Sequence, residues 1–254
     1  GTTAKIVRVV AGAIDEGYEE QDFSLPESRE IPLVFKENDV VVMGLPVIAG
    51  RLPNLIVPYL NTLEGNGAVG IPIVLYGNRN YDDALIELRD ILEERGFHTV
   101  AAGAFIGEHS FSRVLAKGRP DDADISVAED FGKRIKEMLT GGELSSPVTV
   151  KGTPKPYRGY YKPRDRKGEH IDIRKVKPKT KDICNHCGLC AAICPMGAID
   201  REDESKIPGI CIKCCACEKR CPVGAKYFDD SGYLYHKEEL EEMYKERKEP
   251  EIFM

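Results

Sequence analysis

The sequence contains no tryptophan and no long apolar run, and its first 183 residues contain no cysteine. A membrane-spanning helix needs about 18 or more consecutive apolar residues. The longest weakly interrupted apolar runs, 40–50 and 68–76, are far shorter. No basic segment followed by an apolar stretch opens the sequence, as it would in a secretory signal. We therefore expect a cytoplasmic protein without a membrane partner, whose nine cysteines are metal ligands or thiols rather than disulfides.

The overall composition is that of a globular protein. Of the 254 residues, 42% are apolar and 31% are charged, which suits one large domain or two small ones. The formal net charge is −6, so the chain as a whole does not attract the phosphates of nucleic acid. We expect no nucleic-acid partner.

The cysteines divide the chain, because all nine lie between Cys184 and Cys221. We predict a domain in 1–140, a basic Pro-rich linker in 141–182, a cysteine-rich domain in 183–228 and an acidic C-terminal helix in 229–254. Residues 151–181 contain twelve Lys or Arg but only three Asp or Glu. Two interpretations of this segment remain: a solvated spacer, or a segment that lies against an acidic surface of the chain or of a partner.

The N-terminal part alternates predicted strands with predicted helices. Apolar runs predict buried strands at 39–44, 71–76 and 98–105, and helical spacing predicts helices at 53–63, 82–95 and 128–139. This alternation predicts an α/β fold with a parallel sheet. Ligands of such sheets bind beyond the carboxyl ends of the strands, which selects the loops 45–53, 77–82 and 106–112.

The first residues, Gly1-Thr2-Thr3, run directly into a predicted helix. Free N–H groups and hydroxyls at a helix N-terminus form an anion site, although threonine there is often only a helix cap. We predict a phosphate-binding site at this point.

Two consecutive cysteine motifs have the same spacing, Cys-x2-Cys-x2-Cys-x3-Cys-Pro. This repeat is the pattern of bacterial two-cluster ferredoxins, in which the fourth cysteine of each motif binds the other cluster. Zinc also uses cysteine pairs, but it does not need this pattern twice. The metal ligands expected are Cys184, Cys187, Cys190 and Cys221 for one 4Fe–4S cluster, and Cys194, Cys211, Cys214 and Cys217 for the other. Eight thiolates complete two clusters, so we expect Cys215 to be a free thiol.

The segments Leu-Pro-Val-Ile-Ala-Gly-Arg-Leu-Pro at 45–53 and Tyr-Gly-Asn-Arg-Asn-Tyr-Asp-Asp at 76–83 resemble the flavin loops of flavodoxins. The whole chain resembles the family of flavodoxin–ferredoxin fusion proteins. The resemblance implies a flavodoxin-like sheet, a small α+β ferredoxin domain and an FMN cofactor. The FMN-binding residues that it implies are Gly1, Thr2, Thr3, Pro46, Val47, Ile48, Ala49, Gly50, Tyr76, Gly77, Asn78 and Tyr81, of which Tyr81 would stack on the flavin ring.

In flavodoxins a central strand precedes the phosphate loop, and this sequence begins after that point. We expect the natural chain to carry a further segment of roughly a dozen residues, enough for one strand and half a loop. An intact mass larger than 28.2 kDa would agree with this expectation.

These features predict an electron-transfer protein that carries FMN and two 4Fe–4S clusters. Such a protein would shuttle low-potential electrons between redox protein partners, in a reducing and anaerobic cytoplasm. We assign no catalytic residue, because the sequence contains no Gly-x-Gly-x-x-Gly loop for a nicotinamide and no hydrolytic constellation. Two alternatives remain: a flavin-dependent reductase fed by its own clusters, and a ferredoxin with a flavin-free docking domain.

Overall fold

The fold is seen in a computed structural model, which describes residues 1–142 and 144–254. Its larger sheet has the strand order β1-β2-β4-β7, with β3 also paired to β2. The strands β1 to β4 run parallel, and β7 is antiparallel to β4. The strands of this sheet are β1 (Val40–Pro46), β2 (Val69–Tyr76), β3 (His98–Thr99), β4 (Ala102–Ile106) and β7 (Glu251–Phe253). A second, two-stranded antiparallel sheet joins β5 (Lys179–Thr180) to β6 (Lys226–Tyr227).

Four longer helices and three single-turn helices accompany the sheets. They are α1 (Thr2–Ile14), α2 (Val57–Leu60), α3 (Ala84–Glu94), α4 (Asp122–Gly141), α5 (Leu189–Ala192), α6 (Ala216–Lys219) and α7 (Ser231–Met243), with a 3-10 turn at Pro26–Arg29. A capping box starts α4, because Asp121 and Asp124 each accept the other's backbone N–H. Gly96, with a positive φ of 83°, follows the end of α3.

Apolar side chains cover both faces of the larger sheet. On one face, Leu85, Leu88 and Leu92 of α3 belong to a core with residues of β1 and β2. On the other face, Ile6 of α1 and Phe131 of α4 belong to a core with residues of β2 and β4. A mostly parallel sheet between two layers of helices is an α/β arrangement, as the sequence predicted.

Several element boundaries differ from the sequence prediction. The strand predicted at 98–105 is interrupted and forms β3 and β4. The helix predicted at 53–63 forms only the single turn α2, and Pro58 in that turn prevents the helix from extending back to residue 53. The C-terminal segment holds the helix α7, but it ends in the strand β7, which is too short to produce a recognisable alternation.

Residues 151–161, here named the basic strap, lie along the acidic face of α3. Asp83 accepts hydrogen bonds from the backbone N–H groups of Thr153 and Arg158, at 2.9 and 2.8 Å. The hydroxyl of Tyr157 donates to Asp90 at 2.7 Å. The strap therefore lies against an acidic surface of its own chain. The linker was predicted at 141–182, and its residue 143 lies outside the described residues.

The strap also contacts the loop that follows β1. The backbone N–H of Tyr161 donates to the carbonyl of Ala49 at 2.8 Å. The Arg51 guanidinium lies 4.7 Å from the ring centroid of Tyr157 and 5.3 Å from that of Tyr160, and it forms an ion pair with Glu87. These cation–π contacts and the ion pair fix the loop 45–53 beneath the strap.

We expect Asp83→Asn to release the basic strap. Burial of the Asp83 carboxyl raises its pKa, but hydrogen bonds from Arg158 and from two backbone N–H groups outweigh burial and bring the pKa to about 2. The lowered pKa means that the carboxylate stabilises the fold above pH 4, and that this contribution is lost as the pH falls toward 2. The variant should lose about 1–2 kcal/mol of unfolding free energy, because Arg158 is largely solvated and screens part of the effect.

Hydrogen exchange of residues 151–161 in the Asp83→Asn variant measures this release directly. Glu94→Gln is the matched control, because its ion pair with Lys155 is half exposed on both sides and should contribute little. Equal protection of the strap in the wild type and in Asp83→Asn would contradict the prediction.

Among the helices that the structure describes, none combines the length and the apolar character that a bilayer crossing requires.

Candidate functional site

The principal cavity, of about 2160 Å³, opens at the carboxyl ends of β1, β2 and β4 and continues along β1 and α1 as far as Asp39 and Asp15. Its walls also include the strap residues Tyr160 and Tyr161 and part of the cysteine-rich region. The carboxyl ends are the edge of the sheet at which α/β folds bind ligands. The volume exceeds the several hundred Å³ of most small-molecule sites.

Nine of the twelve residues implied to bind FMN line this cavity. They are Gly1, Thr2, Thr3, Pro46, Val47, Ile48, Ala49, Tyr76 and Gly77. They come from the start of α1 and from the loops after β1 and β2, so the fold brings together three segments that are separate in sequence.

The other three residues, Gly50, Asn78 and Tyr81, lie outside the cavity lining. Tyr81 is buried, with its ring centroid 5.5 Å from that of Tyr76 and its hydroxyl donating to Glu251 at 3.0 Å. In this arrangement the ring that was expected to stack on a flavin does not reach the cavity.

Asn78 and Gly50 have structural contacts instead. The Asn78 amide donates to the carbonyls of Tyr244 and Glu246 in the C-terminal tail. Gly50 has a positive φ of 78°, and a Cβ there would lie 2.0 Å from the Asp82 carboxylate. Both residues therefore shape the loops rather than the cavity wall.

Tyrosine and phenylalanine side chains from several segments line the cavity, namely Tyr18, Phe23, Phe35, Tyr76, Phe111, Tyr160 and Tyr161. The sequence shows Tyr160 and Tyr161 among basic residues, but periodicity does not indicate that this segment folds back over the sheet. The strap's contacts with α3 and with the loop after β1 place these two tyrosines there.

The phosphate end predicted at the start of α1 is open to the cavity. Thr2 and Thr3 open this 13-residue helix, and Thr2, Thr3 and Gly107 all line the cavity. A Cβ at Gly107 would lie 2.9 Å from the Thr2 hydroxyl. The loop after β4 thus closely approaches the N-terminus of α1. The N–H groups and hydroxyls there can donate hydrogen bonds to a bound anion.

The first set of cysteines surrounds a small pocket of its own. Cys184, Cys187, Cys190 and Cys221 all line it. Three of these come from the first motif and Cys221 comes from the end of the second motif, the combination that the spacing predicts. The Ala225 N–H donates to the Cys221 sulfur at 3.2 Å, a contact typical of sulfurs that bind iron.

The cysteines of the second set, Cys194, Cys211, Cys214 and Cys217, also lie close to one another. Burial raises the pKa of Cys211 and of Cys214, and the nearby Cys194 sulfur raises both further. Burial, then Cys214 and Cys211, raise the pKa of Cys217 to about 12. Cys211 and Cys214 line the principal cavity together with the loops after β1 and β2.

The backbone repeats the sequence repeat. His186 and Lys213, at the same position of the two motifs, have φ values of 52° and 57°. Gly188 and Cys215 are also equivalent, with φ values of 71° and 56°. Each left-handed residue turns the chain so that successive cysteines face a common centre, and Cys215 occupies a position where glycine is free of steric cost.

Cys215 is buried, and its sulfur lies 3.3 Å from both the Lys213 carbonyl and the Tyr233 hydroxyl. Burial raises the pKa of this thiol. Its position on the side of Tyr233 agrees with the expectation of a free thiol.

Glu204 holds the first cysteine motif in place through His186 and Gly188. The buried Glu204 carboxylate accepts the Gly188 N–H at 3.1 Å and pairs with His186 at 2.9 Å. Cys184, His186 and Glu204 offer ligand atoms within 4.8 Å of one another. Because Cys184 already belongs to the first cysteine set, we interpret the His186–Glu204 pair as bracing for that loop.

Comparison with known protein families identifies the first motif. The family model described as the 4Fe-4S binding domain matches residues 178–200, which include Cys184, Cys187, Cys190 and Cys194. The chain therefore has a ferredoxin-like iron–sulfur part, and a 4Fe–4S cluster with a role in electron transfer is supported. No curated protein sequence matches the chain.

Proposed function

We propose that this chain is an electron carrier that holds FMN in its α/β part and two 4Fe–4S clusters in its cysteine-rich part. It would move low-potential electrons between redox protein partners in a reducing cytoplasm, where cysteine thiols stay reduced. The proposal combines the supported iron–sulfur function with a second cluster and a flavin.

One observation carries the proposal. The principal cavity is lined at once by the residues of the flavin loops and by Cys211 and Cys214 of the second cysteine set. A flavin held by these loops would face the second cluster within one chain. Joining two redox groups in this way replaces a bimolecular encounter by an intramolecular one.

The residues present suit an FMN. Thr2 and Thr3 would hold the phosphate through the helix N-terminus, and the loop backbones of 46–49 and of Gly77 would border the ring. Bound FMN supplies the exchange between one-electron and two-electron transfer. Arg79 also lines the cavity, where it pairs with Asp82 and lies 4.4 Å from the ring centroid of Tyr161.

The cysteines suit two clusters equally. The four cysteines of the first set line the small pocket. In the second set, Cys194 of the first motif lies near enough to Cys211 and Cys214 of the second motif to raise their pKa values. Cys190, Cys194 and Cys217 share one small apolar core, so the two cysteine sets are adjacent. This adjacency would allow electrons to pass from one cluster to the other.

Cofactor content tests the proposal. We expect the full chain, purified without oxygen and reconstituted with FMN, iron and sulfide, to hold about one FMN with about eight iron and eight sulfide. About eight iron without flavin would leave a ferredoxin with a docking domain. About four iron would contradict the second cluster.

Kinetics distinguish a carrier from a reductase. A carrier should give stoichiometric electron transfer that depends on a protein partner. Turnover of a small acceptor with saturation kinetics would instead favour a flavin-dependent reductase, for which the large cavity has room.

A further inference from the structure

We propose that His109 is a further flavin-binding residue, whose Nε2–H donates a hydrogen bond to the nitrogen–oxygen edge of the flavin ring. We also propose that Lys219 of the second cysteine motif holds His109 in that position. This inference rests on the proposed function, because it names a ligand contact of the same cavity.

The hydrogen bond on the other ring nitrogen fixes the tautomer of His109. Its Nδ1 accepts the backbone N–H of Phe111 at 3.1 Å, so the proton of the neutral ring is on Nε2. Burial, followed by the nearby Lys219, His236 and Arg79 charges, lowers the pKa of His109 to about 4. The neutral ring with an Nε2–H donor is therefore the form present at neutral pH.

His109 lies against the loop after β2. A Cβ at Gly77 would lie 2.5 Å from Cδ2 of His109 and 2.9 Å from its Cα and Cγ, so Gly77 leaves room for both the backbone and the ring. Both Gly77 and His109 line the cavity. Nε2 has no hydrogen-bond partner among the residues of 1–142 and 144–254, so this donor is available to a ligand.

The backbone of His109 is fixed from the opposite side. The Lys219 ammonium donates to the His109 carbonyl at 2.6 Å and to the Glu108 carboxylate at 2.8 Å. Lys219 ends α6 and lies two residues after Cys217. One lysine therefore joins the loop after β4 to the second cysteine motif.

The position is specific because it needs three segments at once. Gly77 leaves room for the ring, Phe111 fixes its tautomer, and Lys219 holds its carbonyl. The ring therefore lies in the cavity wall in one fixed tautomer, and its Nε2–H is the donor left for a ligand.

The test is FMN affinity, measured by fluorescence titration of the full chain with its clusters in place. His109→Leu should bind FMN about tenfold more weakly, because the flavin edge loses one hydrogen bond in a buried site. The reduction potential of the flavin should shift as well. His109→Gln should restore most of the affinity, since its amide nitrogen occupies the place of Nε2, whereas His109→Asn should not.

His98→Leu is the matched control, because His98 is exposed on β3 and is absent from the cavity lining. If the wild type binds FMN and His109→Leu binds it with unchanged affinity and potential, the inference is wrong while the proposed function stands. If the wild type holds eight iron but no FMN, both are wrong. Should His109→Leu fail to fold, equal affinities of the Gln and Asn variants would overturn the inference.

Discussion

Replacing Cys217 by serine is expected to remove one cluster, which leaves about four of about eight iron atoms in the anaerobically purified chain, or to convert it to a three-iron cluster, which leaves about seven. Cys217 belongs to the second cysteine set, and Cys211 and Cys214 lie close enough to raise its pKa. A serine oxygen is a poor replacement for a thiolate that binds iron. Iron analysis, with the low-temperature spectrum of the reduced protein, measures the loss.

Cys215→Ser is the matched control, because the two cysteines are two residues apart. The Cys215 sulfur lies 3.3 Å from the Tyr233 hydroxyl, and serine can keep a hydrogen bond there. This variant should retain all the iron. Equal iron loss from both variants would overturn the ligand assignment.

Replacing Asp124 by alanine is expected to destabilise the fold by about 3–5 kcal/mol, since it removes the buried counter-charge of a buried guanidinium and leaves only the more distant Asp121, at 3.7 Å. The Asp124 side chain is fully buried and pairs with Arg119, whose side chain is 5% exposed. Asp124 also completes the capping box of α4 by accepting the Asp121 N–H at 2.9 Å. Chemical denaturation of the full chain measures the loss.

Asp130→Ala provides the comparison on the same helix. Its ion pair with Lys133 is 3.8 Å long and largely exposed, so this variant should change stability by less than about 1 kcal/mol. Similar losses for Asp124→Ala and Asp130→Ala would show that the Arg119–Asp124 pair does not support the fold as we describe.

The sequence was sufficient to predict the central strands β2 and β4, because they are buried on both faces and appear as apolar runs. The run 71–76 lies within β2, of which seven of eight residues are buried. The cysteine spacing was equally informative, since iron–sulfur geometry dictates it directly. Both predictions depend on short-range patterns in the sequence.

The remaining features depend on long-range contacts, which leave no periodicity. Tyr81 lies in the segment 76–83, yet its partner is Glu251, 170 residues later. The path of the strap depends on Asp83, which is 75 residues before Arg158. His109 lies in the loop 106–112 that the sequence selects, but its carbonyl is held by Lys219, 110 residues later.

Because β7 follows the cysteine-rich region and pairs with β4, that region is connected to the larger sheet at both of its ends. The chain leaves the sheet after β4, forms the strap and the cysteine motifs, and returns as β7 beside β4. Asn78 and Arg119 hold the returning segment through the carbonyls of Tyr244, Glu246 and Lys248. A region tethered at both ends explores far less space than one on a single linker. The position of the second cysteine motif at the cavity wall is therefore a property of the fold, independent of protein concentration.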